Sequence, residues 1–390
     1  LTNTRSLSPQ GARSLVATVA RHVGLRALNG ATPRFVLRGD STLRGHVYEE
    51  FDGLVSAVPA RPNTLVLVPA MPDAGRVTRN GVHLALDASN GVYVPVAETE
   101  YGQDPRLGYS NSRLVDWAEE RSQGQLRADR SVEVHLDPLR GRGSEAVTAA
   151  LSSVAGLKRS VVAIDAETEE DLTTIARGLH EAFRADLPIV VRAAPPLAAL
   201  LGSCRAQRFE PVPHVRRVLV VCGSFVPLAT RQLEVLARSH PGSTLTVGID
   251  QLMAIDAGST SHLAAAISGL RSIWRRCPVA VLATPRTSPS ATSDFSDSTS
   301  VARGLAAVVR ALETRPDLVI SKGGSTSAHV VRIGLGADTA TVVGPVARGI
   351  SLWRVEGDSS LVIVPGNVGT DSVLDDLVNA ALGSGDGLIQ

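Results

Sequence analysis

Short, continuous apolar runs recur along the chain, and most are followed by a loop of small or polar residues. The runs do not alternate with polar positions, which is typical of strands that are buried on both faces of a parallel sheet. We therefore predict buried strands at Phe35–Leu37, Leu65–Val68, Val161–Ile164, Pro188–Val191, Val218–Val221, Val279–Ala283, Leu318–Ile320 and Leu361–Val364.

Amphipathic stretches lie between these runs, with apolar residues spaced as on one face of a helix. The predicted helices are Gly11–Leu28, Leu172–Ala185, Leu228–Ser239, Ser261–Arg275, Val301–Glu313 and Val373–Leu382. Strands that alternate with helices predict an α/β protein with mostly parallel open sheets flanked by helices. Pro211 and Pro213 interrupt the pattern, so we expect two such domains, residues 1–212 and 213–390. The Ser-, Thr- and Pro-rich stretch Thr284–Ser300 is expected to be a solvated loop.

The composition argues against several classes of partner. The 39 basic and 38 acidic residues give a net charge of +1, so the overall balance indicates neither nucleic-acid binding nor an acidic partner. No apolar run approaches the about 18 residues that a membrane span requires. Three cysteines without paired spacing, and no visible signal peptide, favour a reducing cytoplasm.

Three loops in the second half follow predicted strands and combine glycine with hydroxyl or amide side chains. Glycine lets the backbone approach a ligand closely, and the free N–H groups at a helix start favour an anion. The residues that we predict to hold an anion are Ser224, Lys322, Gly323, Gly324, Ser325, Thr326, Ser327, Gly366, Asn367, Val368 and Gly369. Each loop alone also fits a tight turn with a helix cap, and Lys322 also fits an ordinary strand-end lysine.

Two common nucleotide motifs are absent from the sequence. Neither the P-loop pattern G-x-x-x-x-G-K-[ST] nor the dinucleotide pattern G-x-G-x-x-G occurs. A P-loop NTPase is therefore disfavoured, and so is a nicotinamide-dependent dehydrogenase that acts on a similar acid.

A polar cluster directly follows the first predicted strand. Arg38 and Arg44 suit a carboxylate, because a guanidinium matches it with two parallel hydrogen bonds. Asp40 and Ser41 suit sugar hydroxyls, and Asp40 beside a substrate hydroxyl also suits a general base. The alternative is that Asp40 and Ser41 only cap the next helix.

A second polar cluster follows the next predicted strand. Asp73 and Arg76 in the segment Pro69–Arg76 are candidates for the same pocket. The alternative is a proline-shaped turn with a surface ion pair.

These motifs resemble those of the four-carbon acid sugar kinase family, long known as a domain of unknown function. The D-S-T-L-R-G sequence at Asp40–Gly45 resembles the family signature, and Pro69–Arg76 resembles its P-A-x-P-x-x-G-R segment. Val94–Pro105 is similar to its P-V-x-E-T…D-P stretch. The three glycine-rich loops follow in the family's order, and Gly344 and Gly349 fall where the family has a glycine before and within its P-G-x-P segment, so the resemblance implies that both bind nucleotide.

The resemblance implies an ATP-dependent kinase, with Mg²⁺, that phosphorylates a four-carbon acid sugar such as threonate, erythronate or a 3-oxo-tetronate. The first domain would bind the acid sugar and the second would bind ATP. By the same resemblance Asp40 and Arg44 would be catalytic. The substrate would be held by Arg38, Ser41, Thr42, Asp73 and Arg76.

The sequence departs from the family pattern at its beginning. Family members usually open with a strand and a D-D-x-T-G motif, whereas Thr4–Leu7 matches a later family segment. We expect either that the numbering begins inside a longer protein or that the motif is lacking. The second case leaves a catalytically impaired member that binds nucleotide or sugar acid without turnover as the alternative. The acid sugar, the hydroxyl phosphorylated and the oligomeric state stay open, with a homo-oligomer as one alternative.

Overall fold

The computed structural model describes residues 4–26, 33–58, 63–87, 90–202, 208–286, 295–355 and 359–384. The chain divides into two compact units, Thr2–Arg205 and Ala206–Gln390. Each unit has its own sheet and its own hydrophobic core.

The first unit is an α/β layer structure with a small additional sheet. Its strands are β1 (Val36–Arg38), β2 (Thr64–Val68), β3 (Arg76–Arg79), β4 (Val82–Asp87), β5 (Val92–Pro95), β6 (Val132–Val134), β7 (Ser160–Ile164) and β8 (Ile189–Ala193). Its helices are α1 (Pro9–Arg26), α2 (Val47–Ala57), α3 (Leu114–Arg121), α4 (Leu136–Arg142), α5 (Ser144–Val154), α6 (Glu169–Arg184) and α7 (Pro195–Leu201).

Five of these strands form a parallel sheet in the order β1-β8-β2-β7-β6. Leu65 and Leu67 of β2 pack on one face in a cluster with Phe51 and Trp117. The intervening side chain of Val66 packs on the other face, in the cluster that contains α5 and α6. Burial on both faces explains why the central strands β2 and β7 are almost continuously apolar. The antiparallel sheet β3-β4-β5 lies in the crossover between β2 and β6.

The second unit repeats the layered plan with a larger, mixed sheet. Its strands are β9 (Val218–Cys222), β10 (Thr244–Thr246), β11 (Val279–Ala283), β12 (Leu318–Lys322), β13 (Ala340–Ala347), β14 (Ile350–Val355) and β15 (Ser359–Val364). Its helices are α8 (Pro227–Ser239), α9 (Ile249–Asp256), α10 (Thr260–Trp274), α11 (Phe295–Arg310), α12 (Gly324–His329) and α13 (Val373–Leu382), and a π-helical turn at Val330–Gly334 follows α12.

The strand order of this sheet is β10-β11-β9-β12-β15-β14-β13. The first five strands are parallel, whereas β14 and β13 join antiparallel at one edge. Because β9, β12 and β15 are neighbours and parallel, the loops at their carboxyl ends lie side by side. Ligands of open α/β sheets bind beyond such strand ends.

The predicted fold class is confirmed, and all eight predicted strands are present within about two residues of their predicted ends. One prediction was wrong: Thr284–Ser300 is not a single loop, because α11 begins at Phe295. Residues 287–294, and the predicted end of the first helix at 27–28, lie outside the described residues. Among the described helices, none is both long enough and apolar enough to cross a bilayer.

Candidate functional site

In the first unit, Asp40 follows β1 and collects three donors on a single carboxylate oxygen. Its Oδ2 accepts from Thr42 Oγ1 at 2.7 Å, Arg44 Nε at 3.0 Å and Arg5 Nη1 at 3.1 Å. Its Oδ1 accepts from no group in the described part of the chain. The carboxylate is therefore fixed by one oxygen and retains the other for a ligand.

The charge state of Asp40 follows from these contacts. Burial alone would raise the pKa of the carboxyl, but Arg5, Arg44 and the hydrogen bonds outweigh it and lower the pKa of Asp40 to about 2. Asp40 is thus ionised at neutral pH. It is a weak base that is well suited to orient a hydroxyl.

Arg44 and Arg76 meet at one aromatic ring. The Arg44 guanidinium lies 5.0 Å from the centre of the Tyr101 ring and the Arg76 guanidinium lies 5.7 Å from it. Arg76 Nη2 also donates to the Tyr101 hydroxyl at 3.1 Å, and Arg44 Nη1 is 3.5 Å from Asp104 Oδ2. Tyr101 therefore brings the two predicted clusters together.

Two buried side chains fix the backbone of the Asp40 loop from below. Tyr109 donates its hydroxyl to the Thr42 carbonyl at 2.6 Å. His83 Nε2 donates to the Ser41 carbonyl at 2.8 Å, and His83 Nδ1 is 2.9 Å from Thr78 Oγ1. Burial lowers the pKa of His83 to about 4, so the ring is neutral at physiological pH. These contacts hold the loop in place before any ligand binds.

A buried ion pair lies beneath the same loop. Arg192 at the end of β8 pairs with Glu50 of α2, and both side chains are 8% exposed. A Cβ atom at Gly39 would lie 3.2 Å from Arg192 Nε, and one at Gly45 would lie 2.9 Å from Arg192 Nη2. Gly45 also has φ of +141°, which favours glycine. The two glycines therefore leave room for this guanidinium.

A small recess opens beside this ion pair, lined by Gly39, Asp40, Pro69, Trp117 and Arg192, among others. The indole N–H of Trp117 is buried and has no acceptor among the described residues. Such a donor is normally paired in a folded protein, so it is available to a water or a ligand oxygen.

The remaining predicted residues of this unit lie in different settings. Arg38 is exposed at the end of β1, and its charge interacts with those of Asp40, Arg5 and Arg192. The side chains of Ser41 and Thr42 are buried, and Thr42 serves the Asp40 network. Asp73 is exposed on the turn after β2. The pKa of Glu169 is raised, mainly by burial and next by the negative charge of Asp73.

In the second unit, the three predicted loops lie against one another. A Cβ atom at Gly223 would lie 2.9 Å from Thr326 Oγ1. A Cβ atom at Gly323 would lie 3.6 Å from the Cβ atom of Ser224, and one at Gly366 would lie 3.7 Å from Ser224 Oγ. The loops after β9, β12 and β15 thus form one surface.

Lys322 is buried directly beneath this surface. The side chain is 0% exposed, and Nζ donates to the carbonyls of Pro365 at 2.8 Å and Val368 at 3.2 Å. No carboxylate of the described residues neutralises it, and burial lowers the pKa of Lys322 to about 8. The ammonium therefore fixes the backbone of the third loop through two hydrogen bonds and places a positive charge beneath it.

Gln232 of α8 grips the same loop. Its buried Nε2 donates to the carbonyls of Thr370 at 2.8 Å and Val368 at 3.3 Å. In a trans peptide the C=O and the following N–H point in opposite directions. Since the carbonyls of residues 365, 368 and 370 point inward, the N–H groups of Gly366, Gly369 and Asp371 point outward.

Further backbone donors come from the start of α12. The first intrahelical bond runs from Ser327 N to the Gly323 carbonyl, so the N–H groups of Gly324 and Ser325 have no acceptor among the described residues. The Ser327 hydroxyl donates to the Gly323 carbonyl at 2.8 Å and so stabilises the turn. Gly323 has φ of +99°, a conformation that favours glycine.

Gly349 and Gly344, predicted from the resemblance, differ in position. Gly349 forms the turn between β13 and β14, where a Cβ atom would lie 3.1 Å from Val368 Cγ1. Gly344 lies within β13 opposite Leu352, at a register shift. The structure thus places Gly349 at the third loop and Gly344 along an edge strand. Ser325 and Thr326 lie in the first turn of α12, and Asn367 lies in the loop after β15.

Metal ligands are a separate question. The described residues contain no group of three or more His, Cys, Asp or Glu side chains that is able to hold an ion.

Two family models match the chain. One, described as a sugar-binding N-terminal domain, matches residues 1–201, and the other, described as a nucleotide-binding C-terminal domain, matches residues 219–374. Together they cover both structural units.

Two curated relatives are similar in sequence. The D-erythronate kinase of Heliobacterium modesticaldum is 29% identical over 259 residues, which cover 65% of this chain and 53% of the kinase. The D-threonate kinase of Salmonella typhimurium is 31% identical over 195 residues, which cover 50% of this chain and 41% of the kinase. The chain spans about half the length of the curated relatives it matches.

Solved structures agree with the fold. A crystal structure from Salmonella typhimurium LT2, described as a tRNA synthase, superposes with a TM-score of 0.68 at 20% identity and covers 97% of this chain and 86% of its own. A Haemophilus influenzae protein of the DUF1537 family gives 0.57 at 19% identity, covering 96% and 88%. At such identities the likeness shows the fold alone.

Proposed function

This chain belongs to the four-carbon acid sugar kinase family, and we propose that it is an ATP-dependent kinase of a four-carbon acid sugar of the erythronate, threonate or 3-oxo-tetronate type. The observation that carries the proposal is the convergence of three loops, rich in free N–H groups, above the buried Lys322. The relatives named as D-erythronate and D-threonate kinases support the same class of reaction.

The second unit suits the phosphates of ATP. The N–H groups of Gly366, Gly369, Gly324 and Ser325 provide donors that have no acceptor within the described part of the chain. The Lys322 charge beneath them favours an anion over a neutral ligand. Mg²⁺ would accompany the nucleotide and would neutralise part of the phosphate charge, and the three loops would hold the complex.

The first unit suits a sugar acid. Arginines outnumber carboxylates around the Asp40 loop, where Arg5, Arg38, Arg44, Arg76 and Arg192 face Asp40, Glu50 and Asp104. The excess positive charge favours binding of a carboxylate. Among these residues, Arg38 is exposed and forms no ion pair with a carboxylate of the described residues, so we assign it to the acid group.

Asp40 is assigned to the hydroxyl that receives the phosphoryl group. Its Oδ1 is available to accept the hydroxyl hydrogen bond, while Thr42, Arg5 and Arg44 hold Oδ2. Phosphoryl transfer passes through a loose transition state in which the attacking hydroxyl becomes acidic late. A carboxylate with a pKa of about 2 is therefore adequate to orient the hydroxyl and to receive its proton at that stage.

Purified protein with ATP, Mg²⁺ and each acid sugar provides the test. ADP release in a coupled assay, with the phosphorylated acid identified by ³¹P NMR, is expected for at least one of D-erythronate, D-threonate and their 3-oxo relatives. Calorimetric binding of ATP and sugar acid without turnover would instead favour the catalytically impaired alternative. Absence of ATP binding at millimolar concentration would refute the assignment of the second unit.

A further inference from the structure

Arg286 lies where no sequence motif places a functional residue, just after β11. Its guanidinium spans the carboxyl ends of two neighbouring parallel strands. Nη1 donates to the Ser224 carbonyl at 2.9 Å, and Nη2 donates to the Thr284 carbonyl at 2.6 Å. The side chain is half-buried, and none of its contacts in the described residues is to a carboxylate.

The donors of this guanidinium are already engaged. Nε donates to the Thr284 carbonyl at 3.1 Å, and Nη2 donates a second time to Thr284 Oγ1 at 2.7 Å. Nη1 also donates weakly to Cys222 Sγ, at a nitrogen-to-sulfur distance of 3.9 Å. With these N–H groups used inside the protein, Arg286 is suited to position the backbone rather than to contact a ligand itself.

The bond to Ser224 sets the direction of the next amide. Because the Ser224 carbonyl is drawn toward Arg286, the N–H of Phe225 points the opposite way. Strand β9 has β11 on one side and β12 on the other, so the side away from Arg286 is the side of the loops after β12 and β15. The Phe225 N–H has no acceptor among the described residues.

We infer that Arg286 is a positioning residue for phosphate binding: its fork clamps the first loop so that the Phe225 N–H faces the same anion as the donors of the other two loops. The inference rests on the proposed function and deepens it. The ligand is a phosphate oxygen of a nucleoside triphosphate. Arg286 does for the first loop what Lys322 and Gln232 do for the third.

The variants Arg286→Lys and Arg286→Ala test this inference in the full chain. Lysine keeps the charge but not the planar fork that reaches two carbonyls at once. We expect both variants to bind ATP about 10- to 100-fold more weakly by calorimetry, with a matching rise in KM for ATP and an unchanged KM for the acid sugar. Methylguanidinium added to Arg286→Ala is expected to restore part of the ATP affinity.

Arg303→Lys is the matched control, because Arg303 in the same unit pairs with Asp256 and is exposed. Its ATP affinity is expected to equal that of the wild type. Thermal unfolding of each variant shows whether the fold is retained, and Arg286→Lys carries the test if Arg286→Ala does not fold. If Arg286→Lys binds ATP as tightly as the wild type, the inference that Arg286 positions the first loop is wrong. A wild type that does not bind ATP would overturn the proposed function itself.

Discussion

Replacement of Lys322 by methionine separates two effects of its buried charge, the cost to folding stability and the contribution to ATP binding. The side chain is fully buried, and its ammonium has two carbonyl partners and no carboxylate in the described residues. Methionine has a similar length and no charge, so it fills the space without the ammonium. We expect Lys322→Met to fold and to bind ATP about 10- to 100-fold more weakly, because the third loop loses its inner grip.

The stability effect follows from the pKa. Burial lowers the pKa of Lys322 to about 8, against an ordinary value near 10.4 in the unfolded chain. The folded state therefore binds the proton less well, and below pH 8 the buried charge costs about 3 kcal/mol. Methionine removes this cost but also removes two charge-assisted hydrogen bonds, so we expect the net change in unfolding free energy to stay within about 2 kcal/mol.

The pH dependence has a definite sign. As pH rises through the folded pKa of about 8, the folded state loses its proton and the penalty is relieved, while the unfolded chain keeps its proton to a higher pH. The unfolding free energy of the wild type, relative to Lys322→Met, is therefore expected to rise by about 1 kcal/mol between pH 7 and pH 9. Over the same range ATP affinity of the wild type is expected to fall, because the cation is lost.

Chemical denaturation at pH 7, 8 and 9, with calorimetric titration of ATP at each pH, measures both effects. Lys158→Met is the matched control, since Lys158 is exposed and is the only other lysine of the chain. The control is expected to follow the wild type in both measurements. Equal ATP affinity in the wild type and Lys322→Met, with parallel stability profiles, would refute the reasoning.

Three further substitutions separate the two units. Asp40→Asn is expected to reduce turnover at least about 100-fold in the coupled assay with unchanged ATP affinity, and an equal loss of ATP affinity would contradict this. The variant is also expected to be less stable at neutral pH, because the wild type gains stability from the ionised carboxylate and loses it only as pH falls from about 4 toward 2. A Cβ atom at Gly324 would meet nothing within 4 Å, so the melting temperature of Gly324→Val is expected to equal that of the wild type while ATP binding falls at least about tenfold. Glu50→Gln leaves Arg192 buried without its partner and is expected to cost about 3–5 kcal/mol in denaturation, unlike the control Glu49→Gln.

Parallel strands such as β2, β7, β9 and β12 could be predicted because they are buried on both faces, and continuous apolar runs carry that information. The strands that the sequence did not indicate are of another kind. Strands β3 and β4 have exposed and half-buried positions, and β13 at the sheet edge mixes exposed residues such as Val342 with glycine and proline. Their pairing depends on neighbours distant in sequence, which local patterns do not carry.

The same distinction applies to the site. The loops that contribute Asp40 and Lys322 can be predicted from the sequence, because dense polar or glycine-rich residues directly follow a strand. The residues that fix them cannot: Arg192, Tyr101 and Arg286 each reach a loop that is distant along the chain. Of these contacts, only the one with Arg192 has a sequence signal, which is the pair of glycines that make room for it. A glycine by itself does not indicate which side chain lies against it.

Both units use a buried cationic side chain to hold a loop at the carboxyl end of a parallel strand, but the charge is treated differently. Arg192 beneath the Asp40 loop is neutralised by Glu50, so this loop is supported with little charge left over from that pair. Lys322 and Arg286 have no carboxylate partner among the described residues, so their charge remains directed at the loop surface. A sugar acid carries one negative charge and a nucleoside triphosphate carries several. The difference in neutralisation therefore matches the ligand that we propose for each unit, and it predicts that ATP binding depends on salt more steeply than acid-sugar binding does.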